Sequence, residues 1–153
     1  MPDENVEKWK QKGRLYLWHY LEHTRNYPGW HLTADDACCR SLVDLIERMS
    51  AARWSSQKSL VVTPPSKEVL SIPNNIGGEA RCKSAGKFIL KHPKGIVDDE
   101  YFSLEENGST VVLSAGGRKL ELLKECVLKI PTGEGDYSIK VGDRHLWFWW
   151  MLK

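Results

Sequence analysis

His19-Tyr20-Leu21-Glu22-His23 is the short string in this chain whose residue types and spacing could do chemistry. On a helix, His19 and His23 are four residues apart and share a face, with Glu22 about 60° from His19 around the axis. Two imidazoles so placed could ligate zinc, and the carboxylate could activate a zinc-bound water. His19 and His23 are therefore the candidate metal ligands, and Glu22 the candidate catalytic residue, of a zinc-dependent hydrolase. A catalytic zinc also needs a third protein ligand and a walled cleft. Asp98, Asp99 and Glu100 are acidic side chains further along, without a helical pattern around them. The helical wheel places both histidines opposite Leu17 and Leu21, on the side shared with Lys12 and Asn26. A solvated face puts histidines in that position, so the metal reading stands as the alternative rather than the expectation.

The tryptophans carry more weight: Trp9, Trp18, Trp30, Trp54, Trp147, Trp149 and Trp150. In an extended final segment, His145, Trp147, Trp149 and Met151 point one way, and Leu146, Phe148, Trp150 and Leu152 the other. A strand that is apolar on both faces is covered on both. Helices on one side leave the other for a loop, a second copy of the chain, a protein partner or a small apolar ligand. Trp30, Trp147, Trp149 and Trp150 are the candidate binding residues, because large apolar patches on monomers usually mark interaction sites and indoles are favoured there. The expectation is a non-catalytic binding protein without a cofactor, a homodimer or other homo-oligomer being one form of it.

Arg81, Lys83, Lys87 and Lys91 share odd parity in a stretch free of acidic residues, and on one unbroken strand they would line a face that could track a nucleic-acid backbone. Phe88 has the opposite parity and supplies no stacking platform beside that row. Lysines also guard exposed sheet edges, which is the preferred reading. Gly133-Glu134-Gly135 lacks the following helix that would hold a phosphate. Asn74 to Gly78 reads as a turn. Cys38, Cys39, Cys82 and Cys126 form no Cys-x-x-Cys pair and read as reduced, buried apolar residues, Cys38 lying on an apolar helical stripe rather than beside His31 as a nucleophile.

The elements that must position these residues follow from periodicity. Asp3 to Asn26 reads as one helix centred on Leu17, stopped at Tyr27-Pro28-Gly29. Thr33, with Asp36 three residues on, reads as a capping box, and Cys38, Leu42, Leu45, Ile46 and Met49 as the stripe of a second helix. After Ser55 the period falls to two. Strands are predicted at 60–62, 68–72 and 87–91, and at 101–105 and 110–114 around Asn107-Gly108. A long strand is predicted over Leu120 to Ile130, with Leu122 to Lys129 also passing as a helix; 137–141 and the final segment complete the set. The fold class is α+β: an N-terminal two-helix hairpin on a mostly antiparallel, twisted sheet of about six to eight strands. The 153 residues read as a single domain, 1–54 the helical pair and 55–153 the sheet, curved or cone-like.

Composition narrows the class. With 41% hydrophobic and 27% charged residues the chain is neither disordered nor fibrous. Charge is even, 10 cations to 9 anions up to Ile76 and 12 to 11 after it, so there is no basic arm. The acidic start lacks the pattern of a secretory signal, and no apolar run approaches a membrane span; a cytoplasmic protein is expected. The order of His19, Glu22 and His23 is similar to that of the inverted zinc peptidases, with no likeness elsewhere in the chain. Two helices before a sheet ending in an aromatic strand resemble the cone-shaped layout of nuclear-transport-factor-like proteins, a likeness that assigns no residue.

Overall fold

A computed structural model describes residues 4–21, 29–66, 69, 82–95, 98–133, 137–141 and 144–149. Among them are three helices, α1 (Glu4–Lys8), α2 (Asp36–Ala51) and α3 (Gly117–Lys129). The strands are β1 (Leu15–Tyr20), β2 (Trp30–Ala34), β3 (Ser56–Val61), β4 (Cys82–Ser84), β5 (Lys87–His92), β6 (Phe102–Asn107), β7 (Thr110–Ala115), β8 (Tyr137–Val141) and β9 (Arg144–Phe148). They form two sheets rather than one curved sheet: five strands in the order β4-β1-β2-β9-β8, and four in the order β3-β5-β7-β6. Pairing is mostly antiparallel, with two parallel contacts, β2 to β9 and β5 to β7. The fold is thus α+β as expected, but the described residues hold nine strands rather than six to eight, and β1 stands where the first helix of the N-terminal hairpin was expected.

The first helix fails for a physical reason. Within β1, Leu15, Tyr16, Leu17, Trp18 and Tyr20 are buried and His19 half-buried, so both faces of the strand are covered and no polar face reveals its period. Tyr and Trp favour strands. Gly13 ends the preceding segment at φ 74°, where a Cβ would collide with the Asp35 carboxylate. The chain then pairs Leu15 with Ala34 and Trp18 with His31 in the antiparallel β1–β2 ladder. The five-stranded sheet draws strands from both sides of residue 54.

The second helix forms where expected, but its cap shifts. Thr33 belongs to β2, and Asp35 is the N-cap: its Oδ1 accepts from the Cys38 N–H at 2.8 Å and its Oδ2 from the Arg14 N–H at 3.0 Å. All five residues of the expected stripe are buried. The predicted strand over Leu120 to Ile130 is the helix α3 instead. Leu120, Leu123, Cys126 and Val127 are its buried face, at spacings of three and four, whereas Leu128, which the alternation counted as inward, is exposed. The Asn107-Gly108 hairpin joins β6 to β7 as read. The strand expected at 68–72 lies outside the described residues except for Val69.

One apolar core runs through both sheets and all three helices. The five-stranded sheet contributes Leu15, Leu17, Trp30, Leu32, Leu146 and Phe148 to it; the four-stranded sheet contributes Leu60, Phe88, Leu90, Val111 and Leu113. No described helix is long and apolar enough to cross a membrane.

Candidate functional site

The face of the five-stranded sheet turned away from that core carries aromatic rings. Register decides which residues share it. Trp18 of β1 lies opposite His31 of β2, His31 beside Trp147 of β9, and Trp147 opposite Ser138 of β8. Alternation adds Tyr16, Tyr20, Thr33, His145 and Lys140 to the same face. The segment just past β9 joins it because the Trp149 N–H donates to the Leu32 carbonyl at 3.0 Å and the Thr33 hydroxyl donates to the Trp149 carbonyl at 2.7 Å.

The rings form a continuous near-parallel series. Trp18 stacks with His31 at 5.6 Å between centroids, His31 meets Trp149 edge to edge at 6.1 Å, Trp149 stacks with Trp147 at 5.9 Å, and Trp147 with His145 at 5.5 Å. The interplanar angles are 20° to 26° throughout. Tyr20 meets His31 edge-on at 5.0 Å. His31 and Trp18 are fully buried and Trp149 nearly so, while Trp147 and His145 are half-buried. The stack therefore starts in the interior and ends towards the β8 side, where the exposed Ser138 and Lys140 stand beside His145.

Hydrogen bonding fixes the buried imidazole. The Trp149 indole N–H donates to His31 Nδ1 at 2.9 Å, so the neutral ring carries its proton on Nε2. Tyr16, Trp18, Tyr20 and Val69 form a second apolar cluster, with Cys82 packed against it. Burial there pushes the Tyr20 phenol up to about 12. Among the described residues the buried Trp18 indole N–H has no hydrogen-bond partner.

The candidate residues named from the sequence divide on this geometry. Trp147 and Trp149 are brought together as read. Trp30 is not with them: it lies in β2 rather than an interhelical loop, points to the opposite face, and donates from its indole N–H to Glu106 Oε1 at 2.6 Å. Trp150 lies outside the described residues. The sequence reading missed Trp18 and His31, and the signal that could have found them is the strand period of 15–20, hidden by burial on both faces.

The zinc reading loses its scaffold, because His19 sits on a strand, edge-on to Trp30 at 4.7 Å, and four residues span about 13 Å along a strand against about 6 Å along a helix. Glu22 and His23 lie outside the described residues. Among the described residues no three His, Cys, Asp or Glu side chains are grouped to hold a metal ion. The basic row is also broken: Lys83 is on β4 of one sheet, whereas Lys87 and Lys91 are on β5 of the other, and Arg81 is not described. Cys38 lies in the main core away from the aromatic face, and burial pushes its thiol up to about 12, far from a reactive thiolate. Comparison with family models, with curated proteins and with solved structures finds no match to this chain.

Proposed function

We propose that this chain is a non-catalytic binding protein that engages a flat apolar group at the His145–Trp147 end of its aromatic stack. The group belongs to a small ligand, a protein partner or a second copy of the chain. The observation that carries the reading is the series itself: five rings, each within 26° of parallel to the next, anchored on the buried Trp18 and His31 and reaching the half-buried Trp147 and His145. A sixth flat ring or apolar side chain continues that series at little entropic cost, because the receiving rings are already fixed. Lys140 and Ser138 beside His145 supply a polar rim.

The test compares wild type with Trp147→Ala, by sedimentation and native mass spectrometry and by titration with the flat apolar dye anilinonaphthalene sulfonate. The reading expects either a self-assembled species or saturable dye fluorescence in the wild type, at least tenfold weaker in the variant. Assembly identifies a second copy as occupant, and dye binding by a monomer identifies a ligand. A wild-type monomer that binds no dye, or a folded variant that behaves like wild type, overturns it.

A further inference from the structure

On the helical side of the fold, away from the aromatic face, the segment between α1 and β1 crosses the first turns of α2. Three bonds to the buried Ser41 pin it there. The Ser41 hydroxyl donates to the Lys10 carbonyl at 3.4 Å and accepts from the Lys12 N–H at 3.1 Å. Its carbonyl accepts from the Trp9 indole N–H at 2.7 Å. The main chain of both lysines is thereby fixed beside Arg40, and Lys10, Lys12, Arg40, Ser41 and Asp44 line a cleft of about 280 Å³.

The charge of this cleft is unbalanced. Among the described residues, no hydrogen bond or ion pair uses the Lys10 or Lys12 ammonium or the Arg40 guanidinium. Asp44, the carboxylate among the lining residues, is paired with Arg48 at 3.2 Å. Asp35 is taken up by the cap of α2 and the Arg14 N–H, and Asp36, one turn before Arg40, does not line the cleft. Three cations held together by tertiary bonds repel one another, and an anion laid between them relieves that repulsion.

An apolar groove adjoins the cleft, and Arg40 lines both. Cys39 and Val43 of α2, Leu128 of α3 and Pro131 just beyond it complete the groove, whose volume is about 170 Å³. Leu128, 51% exposed, is the one large apolar side chain of α3 left open to solvent. At roughly 30 Å³ per non-hydrogen atom the groove holds about five or six, one aliphatic side chain rather than an acyl chain. Arginine suits the junction, because its stem packs along apolar surface while its guanidinium stays in water.

We propose that this composite surface docks an acidic segment of a protein partner, one aliphatic side chain seated in the groove and the neighbouring carboxylates on Lys10, Lys12 and Arg40. A concave seat for a single side chain selects a peptide over an anionic membrane, which presents no such projection.

The experiment titrates the full chain, by NMR of its backbone amides, with a blocked pentapeptide of four glutamates around a central leucine. Controls are the same peptide with serine at its centre, four lysines around leucine, and phosphatidylglycerol vesicles. Saturable shifts centred on Arg40, Val43 and Leu128 are expected with the leucine peptide. Binding should be at least fivefold weaker with the serine peptide and undetectable with the lysine peptide. Lys10→Glu with Lys12→Glu changes two exposed side chains and leaves the main-chain bonds to Ser41 in place, so the fold should persist while the leucine peptide binds at least tenfold more weakly. Leu128→Ser should weaken the leucine peptide severalfold and leave the serine peptide unchanged. No saturable shift, an equal response to the lysine peptide, or unchanged affinity in the folded lysine double variant overturns the proposal. So does binding to the vesicles in preference to the peptide, which assigns the cations to a membrane surface instead.

Discussion

Replacing Trp149 by Phe keeps a ring in the stack and removes the N–H that His31 Nδ1 accepts at 2.9 Å. Both residues are buried, at 2% and 0% exposure, so water cannot take over the bond without opening the sheet. Leaving a buried acceptor unpaired costs about 1–3 kcal/mol. Trimming indole to phenyl withdraws two buried carbons, at roughly 0.8 kcal/mol each. Trp149→Phe is therefore expected to cost about 3–5 kcal/mol, a fall in Tm on the order of 10 °C for a chain of this length. Urea denaturation of a double-mutant cycle separates the two contributions. His31→Leu removes the acceptor, and the size loss at 149 is the same in either background. The two substitutions together should cost about 1–3 kcal/mol less than their sum. If they add to within about 0.5 kcal/mol, the hydrogen bond contributes nothing measurable and the fixed imidazole is not what holds the stack together.

Two further outcomes follow from the same geometry. Thr33→Val keeps the shape of the side chain and removes the donor to the Trp149 carbonyl; it should cost about 1–3 kcal/mol and speed exchange of the Trp149 amide hydrogen selectively. Amide exchange equal to wild type refutes that anchor. The thiols set a pH dependence. Burial first, then neighbouring charge, raises Cys38 and Cys39 to about 12, and burial raises Cys126 to about 11. Folded values above the unfolded one mean that their contribution is whole below about pH 8.5 and is lost as pH rises from there towards 11 and 12. Urea midpoints should therefore fall between pH 8.5 and 10, each withheld ionisation costing about 1.4 kcal/mol per pH unit, and less steeply in Cys38→Ala. Half-buried Cys82 should react first with a thiol reagent in the folded state; equal rates for all four would sink that order.

What the sequence made legible were the elements with one wet face. The stripe of α2, the β6–β7 hairpin and β8 each alternate between core and solvent, and each forms within a residue or a few of where it reads. The elements misread are those where burial removes or mimics the pattern. In β1 the covering of both faces leaves Leu15 to Tyr20 without a period, and a helical wheel can be drawn through them. In α3, Leu120, Leu122, Cys126 and Leu128 alternate by coincidence, while Leu123 and Val127 complete the helical face. The candidate site was legible by half for the same reason. Trp147 and Trp149 sit at spacing two on a terminal strand, but their neighbours His31 and Trp18 come from β2 and β1. Only the parallel β2–β9 pairing, a contact between distant segments that no local pattern encodes, brings them alongside.

That pairing also orders assembly in time. The four-stranded sheet is built from one stretch, residues 56–115, whereas its companion takes strands from 15–34, 82–84 and 137–148 on either side or within. Joining β2 to β9 closes a loop of more than 100 residues, and the Trp149–His31 bond spans 118. Closure over such separations is slow compared with hairpin formation. The nested sheet can therefore mature first, with the outer one waiting for its two ends to meet. Throughout that interval Trp18 on one strand and Trp147 and Trp149 on another are not yet joined through His31, and a crowded solution offers them the rings of other chains. The aromatic face is thus the last part of the sheet to form, and its most exposed liability while the chain is folding.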